Sequence, residues 1–265
     1  MLSLFGYPGG RRLVLKQLLS MLPPHNVYIE VFGGGAPVLL NKAPSKIEIY
    51  NDIDNRLVNM LIQIRDHPDY FSHMIENTPY SQKIYREYLE KYTYKYSDLS
   101  DLEKAWITFY LVATSFNGQI GHGLRVCLTT NEAYRFHNKS ETVKRVARRL
   151  RNVIFTCMDY REVFRKWGDK RCLMFLDPPY LVEQKYYVST WGTAQHIELA
   201  RWIKRLKCNW ILIVNDHPLM YKLYGGYELM EVEAKSLMNR VEVGGTRPKL
   251  KYLIITPRKY QQTLG

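Results

Sequence analysis

Short apolar runs alternate with segments of helical periodicity through much of this chain, and this alternation constrains the fold most. Helical periodicity separates most of the runs, for example over residues 160–167 and 194–206. Strands joined by helices form a mostly parallel sheet that is covered on both faces. The last two strands have no clear helix between them, so we expect them to pair antiparallel. The predicted strands span residues 26–32, 46–50, 152–157, 172–176, 209–215, 227–234 and 250–256.

The chain changes character after residue 55, where strand signals stop and helical signals continue. Helical patterns cover residues 57–64 and 81–96, and Ser100 begins a capping-box pattern before a further helix. The glycine- and threonine-containing stretch 118–131 predicts a hairpin. We therefore expect a main domain in two parts, residues 1–55 and 141–265, interrupted by a mostly helical insertion over residues 56–140.

Positive charge dominates the composition and is unevenly distributed. The 265 residues carry a net charge of +13. Such a charge attracts polyanions, nucleic acid above all. Between Arg135 and Arg151 there are seven Lys or Arg residues and one acid, Glu141. The helix predicted over 143–151 would present most of these cations to a nucleic acid, or else form a solvated face against acidic neighbours.

Several classes of protein are disfavoured by the sequence. No stretch approaches the roughly 18 apolar residues of a membrane span, and the N-terminus lacks the pattern of a secretion signal. The seven histidines form no His-x-x-x-His pair and the cysteines no Cys-x-x-Cys pair, so we expect no metal site. The last three of the four cysteines lie in or beside apolar runs, which predicts buried free thiols in a reducing compartment. The cysteines are Cys127, Cys157, Cys172 and Cys208.

The tetrapeptide Asp177-Pro178-Pro179-Tyr180 directly follows a predicted strand. Prolines fix the backbone and offer carbonyl groups without competing N–H groups, so they make a rigid polar pocket. The carboxylate and a carbonyl can accept two hydrogen bonds from one flat amine, and the tyrosine can stack on the ring that carries the amine. This chemistry suits the methylation of an exocyclic base nitrogen. For the tetrapeptide alone, a plain turn is the alternative.

A glycine-rich turn, Gly33-Gly34-Gly35, follows the first predicted strand and lets the backbone approach a ligand. The next strand ends at Asp52, where an acid can hold ribose hydroxyl groups. A nicotinamide dinucleotide is disfavoured because Val38 occupies the position of the third glycine, and no Gly-Lys-Ser/Thr sequence indicates a P-loop. A nucleoside without a pyrophosphate, such as S-adenosylmethionine, fits better. A tight turn without a ligand is the alternative.

Six segments carry a further pattern. They are 5–11 (FGYPGGR), 30–35 (EVFGGG) with 51–54 (NDID), 115–118 (SFNG), 159–160 (DY), 177–180 (DPPY) and 244–247 (GGTR). In this order, spread over nearly the whole chain, they resemble the Dam-like DNA adenine-N6 methyltransferases. The resemblance implies an α/β fold with a Rossmann-like, seven-stranded class I methyltransferase sheet and the insertion as a target-recognition domain. It implies S-adenosylmethionine as cofactor, double-stranded DNA as partner without an obligatory protein partner, and action in the cytoplasm of a bacterium or a phage host.

The resemblance also assigns roles to individual residues. The catalytic group would be Asp177, Pro178, Pro179 and Tyr180. The cofactor site would be lined by Tyr7, Arg11, Glu30, Phe32, Gly33, Gly35, Asp52, Ile53, Asp159 and Asp177. Apart from the resemblance, we expect DNA to be bound by Asn117, Arg125, Arg135, Lys144 and Arg148, and Tyr186 and Tyr187 either to order over the pocket or to be ordinary loop aromatics.

Two positions depart from the pattern of the family. Arg11 stands where the family has lysine, and Gly121 stands where the recognition hairpin usually presents a base-reading arginine. Arg125 or Arg135 would then read the bases, or the enzyme would read little sequence. The expected reaction is methyl transfer to N6 of a flipped adenine, as in restriction–modification. Cytosine-N4 methylation and a non-catalytic DNA-binding scaffold are the alternatives, and protein glutamine methylation is less favoured because those enzymes begin the tetrapeptide with Asn.

Overall fold

The computed structural model describes residues 1–5, 12–181, 191–235 and 249–258. The chain divides into two compact units, residues 1–8 with 54–152 and residues 9–53 with 153–265. The first unit is helical and the second contains the sheet. Within the described residues, no helix is both long enough and apolar enough to cross a membrane.

In the described part of the chain, seven strands form a single sheet in the order β3-β2-β1-β4-β5-β7-β6. The first five are parallel, and β7 runs antiparallel to both β5 and β6. The predicted Rossmann-like, mostly parallel sheet is thereby confirmed, as is the antiparallel pairing of the last two strands. The strands are β1 (Val27–Glu30), β2 (Ile47–Asn51), β3 (Val153–Thr156), β4 (Leu173–Leu176), β5 (Asn209–Asn215), β6 (Glu228–Lys235) and β7 (Lys249–Thr256).

Helices cover the sheet and build the helical unit. The sheet unit contains α1 (Arg12–Met21), α2 (Pro37–Asn41), α9 (Tyr160–Trp167), α10 (Thr193–Ile203) and α11 (Pro218–Tyr224). The helical unit contains α3 (Asn55–Asp66), α4 (Pro68–Asn77), α5 (Gln82–Tyr94), α6 (Asp101–Thr114), α7 (Glu132–His137) and α8 (Lys139–Leu150). Two of these, α4 and α7, were not expected from the sequence.

The main core of the sheet unit lies between the sheet and helices α9, α10 and α11. Alternate strand residues, such as Ile29, Met174 and Leu212, pack there against helix residues such as Val163 and Leu199. This alternation follows from the two-residue period of a strand, which sends the intervening side chains to the opposite face. Helix α2 lies on that opposite face, beside α1.

The cysteine prediction holds for two of the three positions. Cys172 and Cys208 are buried at the starts of β4 and β5, as expected. Cys157 is exposed, and the prediction of a buried thiol there was wrong. The reason is that β3 is an edge strand of the sheet and ends before Cys157, so the thiol lies beyond the covered part of the strand.

Helix α6 forms the centre of the helical unit and is buried along most of its length. Its first turn has the predicted capping box, in which Ser100 and Glu103 bond to each other's backbone N–H groups. The rings of Trp106 and Phe109 pack against Phe71 of α4 at centroid distances of 6.1 and 5.8 Å. Aromatic packing of this kind stabilises the unit beyond the burial of apolar area alone.

The boundaries between the units differ from the predicted ones. Helix α8 packs against α4 and α3, so the basic segment belongs to the helical unit rather than to the unit with the sheet. Leu4 is fully buried in the helical unit, and the ring of Phe5 lies 6.1 Å from that of Phe109. The N-terminal residues 1–5 thus belong with the helical residues, because their apolar side chains find partners there.

The predicted hairpin over residues 118–131 is replaced by a shorter structure that begins earlier. One antiparallel bridge joins Ser115 to Leu124, and the amide of Arg125 donates to the carbonyl of Thr114 at 2.8 Å. Within 118–131, all of which the structure describes, no strand ladder forms. Gly121 has a φ of 92°, a left-handed value that favours glycine and tightens the turn.

Candidate active site

Three acidic residues stand at the carboxyl ends of neighbouring strands. Glu30 is the last residue of β1, Asp52 follows β2, and Asp177 follows β4. Because β1 lies between β2 and β4 and all three are parallel, these residues meet at one edge of the sheet. Ligand crevices in open α/β sheets form at this edge. The structure therefore brings together the acids that the sequence assigned to one site.

Glu30 is fully buried and secures the start of α2. Its Oε2 accepts hydrogen bonds from the amide of Leu39 at 2.7 Å and from the hydroxyl of Tyr28 at 2.9 Å. Its Oε1 is buried without a hydrogen-bond partner in the described part of the chain. Burial, with a smaller contribution from the negative charge of Asp177, raises the pKa of Glu30 to about 8. The raised pKa favours the protonated form of the carboxyl group at neutral pH.

The glycine turn is held against the end of β2. The amide of Gly33 donates to the carbonyl of Asn51 at 2.8 Å. A Cβ atom at Gly33 would overlap the ring of Tyr50 and lie 2.8 Å from that carbonyl oxygen, so no side chain fits. At Gly34, whose φ is 48°, a Cβ atom would meet nothing within 4 Å. The amide of Gly34 donates to Asp52 Oδ2 at 2.7 Å. The turn is thus closed on its inner side and open above Gly34.

Aromatic side chains flank the turn. The ring of Phe32 lies 5.5 Å from that of Tyr160 and 5.6 Å from that of Trp191, measured between centroids. Tyr160 and Trp191 lie 5.7 Å apart, so the three rings form one cluster. Ile53, after β2, is 57% exposed and is available to a ligand at this edge. Trp191 and Tyr160 add apolar surface that the sequence did not assign to the site.

Asp159, a predicted cofactor residue, caps helix α9 and pairs with Arg161. Its Oδ1 accepts from the amide of Arg161 at 2.9 Å and from Nε at 2.7 Å, and its Oδ2 accepts from the same guanidinium at 3.0 Å. Burial would raise the pKa of Asp159, but the hydrogen bonds and charge of Arg161 outweigh it and lower the pKa. Both carboxylate oxygens are thus committed to Arg161.

The tetrapeptide forms the turn after β4. Asp177 is half-buried and Pro178 is buried. The ring of Tyr180 is 2% exposed and packs against Tyr252 of β7 at a centroid distance of 5.7 Å. The next amide, that of Leu181, donates to the side-chain oxygen of Asn215 at the end of β5, at 3.4 Å. The tetrapeptide is thereby tied to the neighbouring strands β5 and β7.

His196 lies behind the tetrapeptide and was not singled out from the sequence. It is fully buried on α10, and its ring lies 5.9 Å from that of Trp191. Burial lowers the pKa of His196 to about 4, with the backbone of Pro179 acting in the opposite direction, so the ring is neutral. The available signal was its spacing: His196, Leu199, Ala200 and Ile203 form the buried stripe of α10.

The predicted DNA-binding arginines of the insertion converge on one acid. Glu132 is buried, and its two oxygens pair with Arg125 at 2.7 Å and with Arg135 at 3.2 Å. The side chain of Arg125 is 21% exposed, whereas that of Arg135 is 56% exposed. The hydroxyl of Tyr80 donates to the carbonyl of Arg125 at 2.5 Å, which fixes the backbone there. Arg125 is therefore held in the structure, and Arg135 is the more accessible of the two.

Helix α8 is amphipathic, with a buried apolar stripe and an exposed basic side. Arg148 is exposed, and Lys144 is 39% exposed and pairs with Glu141 at 3.6 Å. Lys139, at the start of the helix, donates instead to the carbonyl of Leu4 at 2.7 Å, and burial lowers its pKa to about 8. The stripe of Val143, Val146, Ala147 and Leu150 faces the unit, as its spacing predicted.

Some predicted site residues lie outside the described residues. They are Tyr7, Arg11, Tyr186, Tyr187 and the segment 244–247. Asn117 lies in the short 3-10 turn Phe116–Gly118, but its side chain is also outside the described part.

The comparison with known families identifies the activity of the chain. The profile of the D12 class N6 adenine-specific DNA methyltransferases matches residues 7–238. The chain belongs to this family. It is an S-adenosylmethionine-dependent enzyme that methylates N6 of adenine in DNA, as the resemblance of its motifs predicted. The Type II methyltransferase M.CviBI of Paramecium bursaria Chlorella virus NC1A is 23% identical over 237 residues, covering 86% of this chain and 88% of the relative.

The matches to solved structures are weaker. A precorrin-8w decarboxylase from Methanobacterium thermoautotrophicum superposes with a TM-score of 0.39 at 13% identity, covering 95% of this chain and 92% of its own. A precorrin-6y C5,15-methyltransferase from Geobacter metallireducens GS-15 gives a TM-score of 0.37 at 12% identity, covering 94% and 87%. The assignment of this adenine methyltransferase therefore comes from the family match and the chain's own residues.

The residues of the edge suit S-adenosylmethionine. The ligand is cationic at sulfur and at its amino group and carries ribose hydroxyl groups, for which carboxyl groups are suitable partners. Glu30 has a buried oxygen without a partner, and the backbone at Gly34 faces open space. Asp52 and Asp177 add two further carboxyl groups on either side of Glu30. When bound, the cofactor supplies an electrophilic methyl group.

Proposed function

We propose that this methyltransferase acts on an adenine flipped out of double-stranded DNA, with the tetrapeptide 177–180 as its base pocket. The observation that carries the proposal is the position of Asp177 after β4, directly beside the strand that leads into the glycine turn. A base amine held at Asp177 would therefore lie next to a cofactor held at Glu30 and Gly34. A base inside a duplex cannot reach such a crevice, so it must leave the stack.

The chemical role of the tetrapeptide is to hold and polarise the amine. The carboxylate of Asp177 and the carbonyl of Pro178 would each accept a hydrogen bond from one of the two N–H groups of the amine. This arrangement favours a tetrahedral nitrogen, whose lone pair is no longer delocalised into the ring. Alignment of the amine with the methyl group supplies much of the rate. Hydrogen bonds that strengthen as positive charge develops on nitrogen supply a further part.

Tyr180 is proposed to stack on the extruded adenine. Its ring is almost fully buried and packs on Tyr252. A base can therefore stack on it only after neighbouring side chains move away from one face of the ring. Stacking of a base on an aromatic ring is worth about 1–3 kcal/mol. His196 supports the pocket from behind, because its neutral ring is buried against Trp191 under the tetrapeptide.

The helical unit is proposed to bind the substrate duplex. Arg148 and Lys144 would contact phosphates, which adds affinity but no sequence information. Of the two arginines proposed to replace a base reader at Gly121, Arg135 is the better candidate, because the guanidinium of Arg125 is paired with Glu132 and largely covered. A glycine at position 121 leaves the tip of the turn without a side chain.

Replacement of Asp177 by asparagine tests the proposal. The amide removes the negative charge and presents at most one acceptor oxygen to the amine. We expect the rate of methyl transfer to fall by at least about 100-fold, which is the usual effect of losing one group that stabilises charge in a transition state. The assay is mass analysis of nucleosides from plasmid DNA, grown in a methylation-free host and incubated with enzyme and cofactor. Formation of N4-methylcytosine instead of N6-methyladenine would contradict the choice of base.

A matched variant separates this role from a general effect of lost charge. Asp69→Asn changes an exposed acid in the first turn of α4. It should retain wild-type turnover. DNA binding by Asp177→Asn, measured by fluorescence anisotropy, and a circular dichroism spectrum like that of the wild type should show that the fold persists. Unchanged turnover in a folded Asp177→Asn variant would refute the proposed role of the carboxylate.

A further inference from the structure

A second basic surface lies in the sheet unit, away from the active site. Two segments, 165–171 and 201–207, carry eight exposed Lys or Arg residues and one acid, Asp169. We call these two segments the far basic face. Its cations are Arg165, Lys166, Lys170, Arg171, Arg201, Lys204, Arg205 and Lys207.

The two segments are joined by backbone hydrogen bonds. The carbonyl of Gly168 accepts from the amide of Lys207 at 2.8 Å and from that of Cys208 at 3.1 Å. A Cβ atom at Gly168 would lie 2.7 Å from the side chain of Leu206, so the segments pack closely. The cations of the last turn of α9 and of the end of α10 are therefore fixed beside one another and form one continuous surface.

Tryptophan rings, rather than acids, position several of the cations. The guanidinium groups of Arg165 and Arg205 lie 5.3 and 5.8 Å from the ring centre of Trp202. The ammonium group of Lys166 lies 5.0 Å from the ring centre of Trp167. A cation over an aromatic face is held in place but keeps its charge. These side chains are thus ordered without being neutralised. The entropic cost of ordering them when an anion binds is therefore smaller.

Charge is segregated along helices α9 and α10. At the beginning of α9, Arg161 is neutralised by Asp159 and by Glu198 of α10, at 2.7 and 3.2 Å. At the other end of both helices the cations outnumber the acids by eight to one. If the basic composition of the chain served only solubility, acids would be interspersed along both helices. The separation indicates a surface that binds an anion.

The far basic face lies at the amino ends of the strands, whereas the tetrapeptide lies at their carboxyl ends. Arg171 precedes β4 and Lys207 precedes β5, whereas Asp177 follows β4. The seven residues from 171 to 177 are joined by six steps, which span about 20 Å when the chain is extended. The surface is therefore not part of the base pocket, and its cations act on a different portion of any bound molecule.

We propose that the far basic face binds the phosphate backbone of a stretch of duplex DNA distinct from the one that enters the active site. This inference rests on the proposed function, in which the substrate is duplex DNA. It adds a second contact between the enzyme and that DNA. A row of cations without base-reading geometry binds phosphates independently of sequence. This second contact holds the enzyme on long DNA between encounters with target sites.

Lysine footprinting tests the proposal directly. The intact protein is labelled with acetic anhydride, alone and with a duplex of random sequence about 500 bp long, and the modified lysines are identified by mass spectrometry. We expect DNA to protect Lys204 and Lys207. The exposed Lys16 of α1 and Lys222 of α11 are the internal controls and should react equally in both samples. Equal labelling of Lys204 and Lys207 with and without DNA would overturn the proposal.

A pair of charge-matched variants gives the energetic test. Lys204→Glu/Lys207→Glu alters the far basic face, and Lys16→Glu/Lys222→Glu makes the same change in net charge elsewhere. For the first variant we expect affinity for the long duplex to fall about tenfold near 50 mM salt, and the slope of log affinity against log salt to become shallower by about 2. Equal affinity and equal slope for the two variants would refute the inference.

The outcome is independent of catalysis. If the proposed roles of the tetrapeptide fail, Asp177→Asn keeps wild-type turnover, but protection of Lys204 and Lys207 is unaffected. If the far basic face does not bind DNA, that protection is absent although Asp177→Asn still loses turnover. The two experiments therefore fail separately, and each failure identifies the idea that is wrong.

Discussion

Replacing Glu30 by glutamine tests whether the carboxyl group at the centre of the site is protonated at neutral pH. Burial is the main cause that raises the pKa of Glu30 from 4.5 to about 8. Glutamine keeps an oxygen that can accept from the amide of Leu39 and the hydroxyl of Tyr28, and places a neutral group at the unpartnered oxygen. The variant thus imitates the protonated form and lacks its titration.

The magnitude follows from linkage between proton binding and folding. Between pH 4.5 and 8 the folded protein holds a proton at Glu30 that the unfolded chain has lost. The stability contributed by this proton is fully present below pH 4.5 and is lost as the pH rises through 8. A shift of about 3.5 pH units corresponds to about 5 kcal/mol, taken as an upper value. The wild type should therefore lose about 3–5 kcal/mol relative to Glu30→Gln between pH 4.5 and 9.

Urea unfolding of both proteins at pH 5, 7 and 9 measures this difference. The exposed Glu228, the first residue of β6, provides the control, since Glu228→Gln should leave the pH dependence of the wild type unchanged. Parallel stability curves for the wild type and Glu30→Gln would show that Glu30 is ionised at neutral pH, and the reasoning from burial would then be wrong.

Three further predictions concern other parts of the molecule. Gly33→Ala should destabilise the protein by about 1–3 kcal/mol in urea unfolding, because the new methyl group overlaps the ring of Tyr50. Ser100→Ala should cost about 1 kcal/mol in the same assay through loss of the capping box, with DNA methylation unchanged. Arg148→Glu should weaken binding of all duplexes at low salt, measured by anisotropy, whereas equal binding would place the DNA elsewhere.

Local patterns were sufficient to predict the sheet. The strand predicted over 209–215 is found at those residues, since a continuous apolar run between polar residues has few other structures open to it. Helix α4 was missed because Pro68, which often ends a helix, here begins one. Helix α7 was missed because six residues give too little periodicity to recognise.

The candidate site was only partly predictable, because ion pairing depends on tertiary burial and on side-chain geometry that the sequence does not show. Nothing in the local sequence around Arg125 shows that Glu132 will be buried beside it. The predicted cofactor role of Asp159 rests on its motif, and the motif did not indicate that Arg161 donates to both of its oxygens. The helical spacing of His196 indicates a buried position, but only the fold shows that it lies behind the tetrapeptide.

Acidic and basic residues of the sheet unit are separated, so the cationic cofactor and the DNA phosphates are attracted to different parts of it. A cationic cofactor is attracted to the edge that carries Asp52 and Asp177, and DNA phosphates are repelled from it. In the proposed mechanism the extruded base is neutral, so it can enter this acidic crevice while its phosphates remain on the basic surfaces outside. Added salt should therefore weaken DNA binding steeply, because phosphate contacts release counterions. Cofactor binding at the buried or half-buried groups proposed to hold it should change far less with salt.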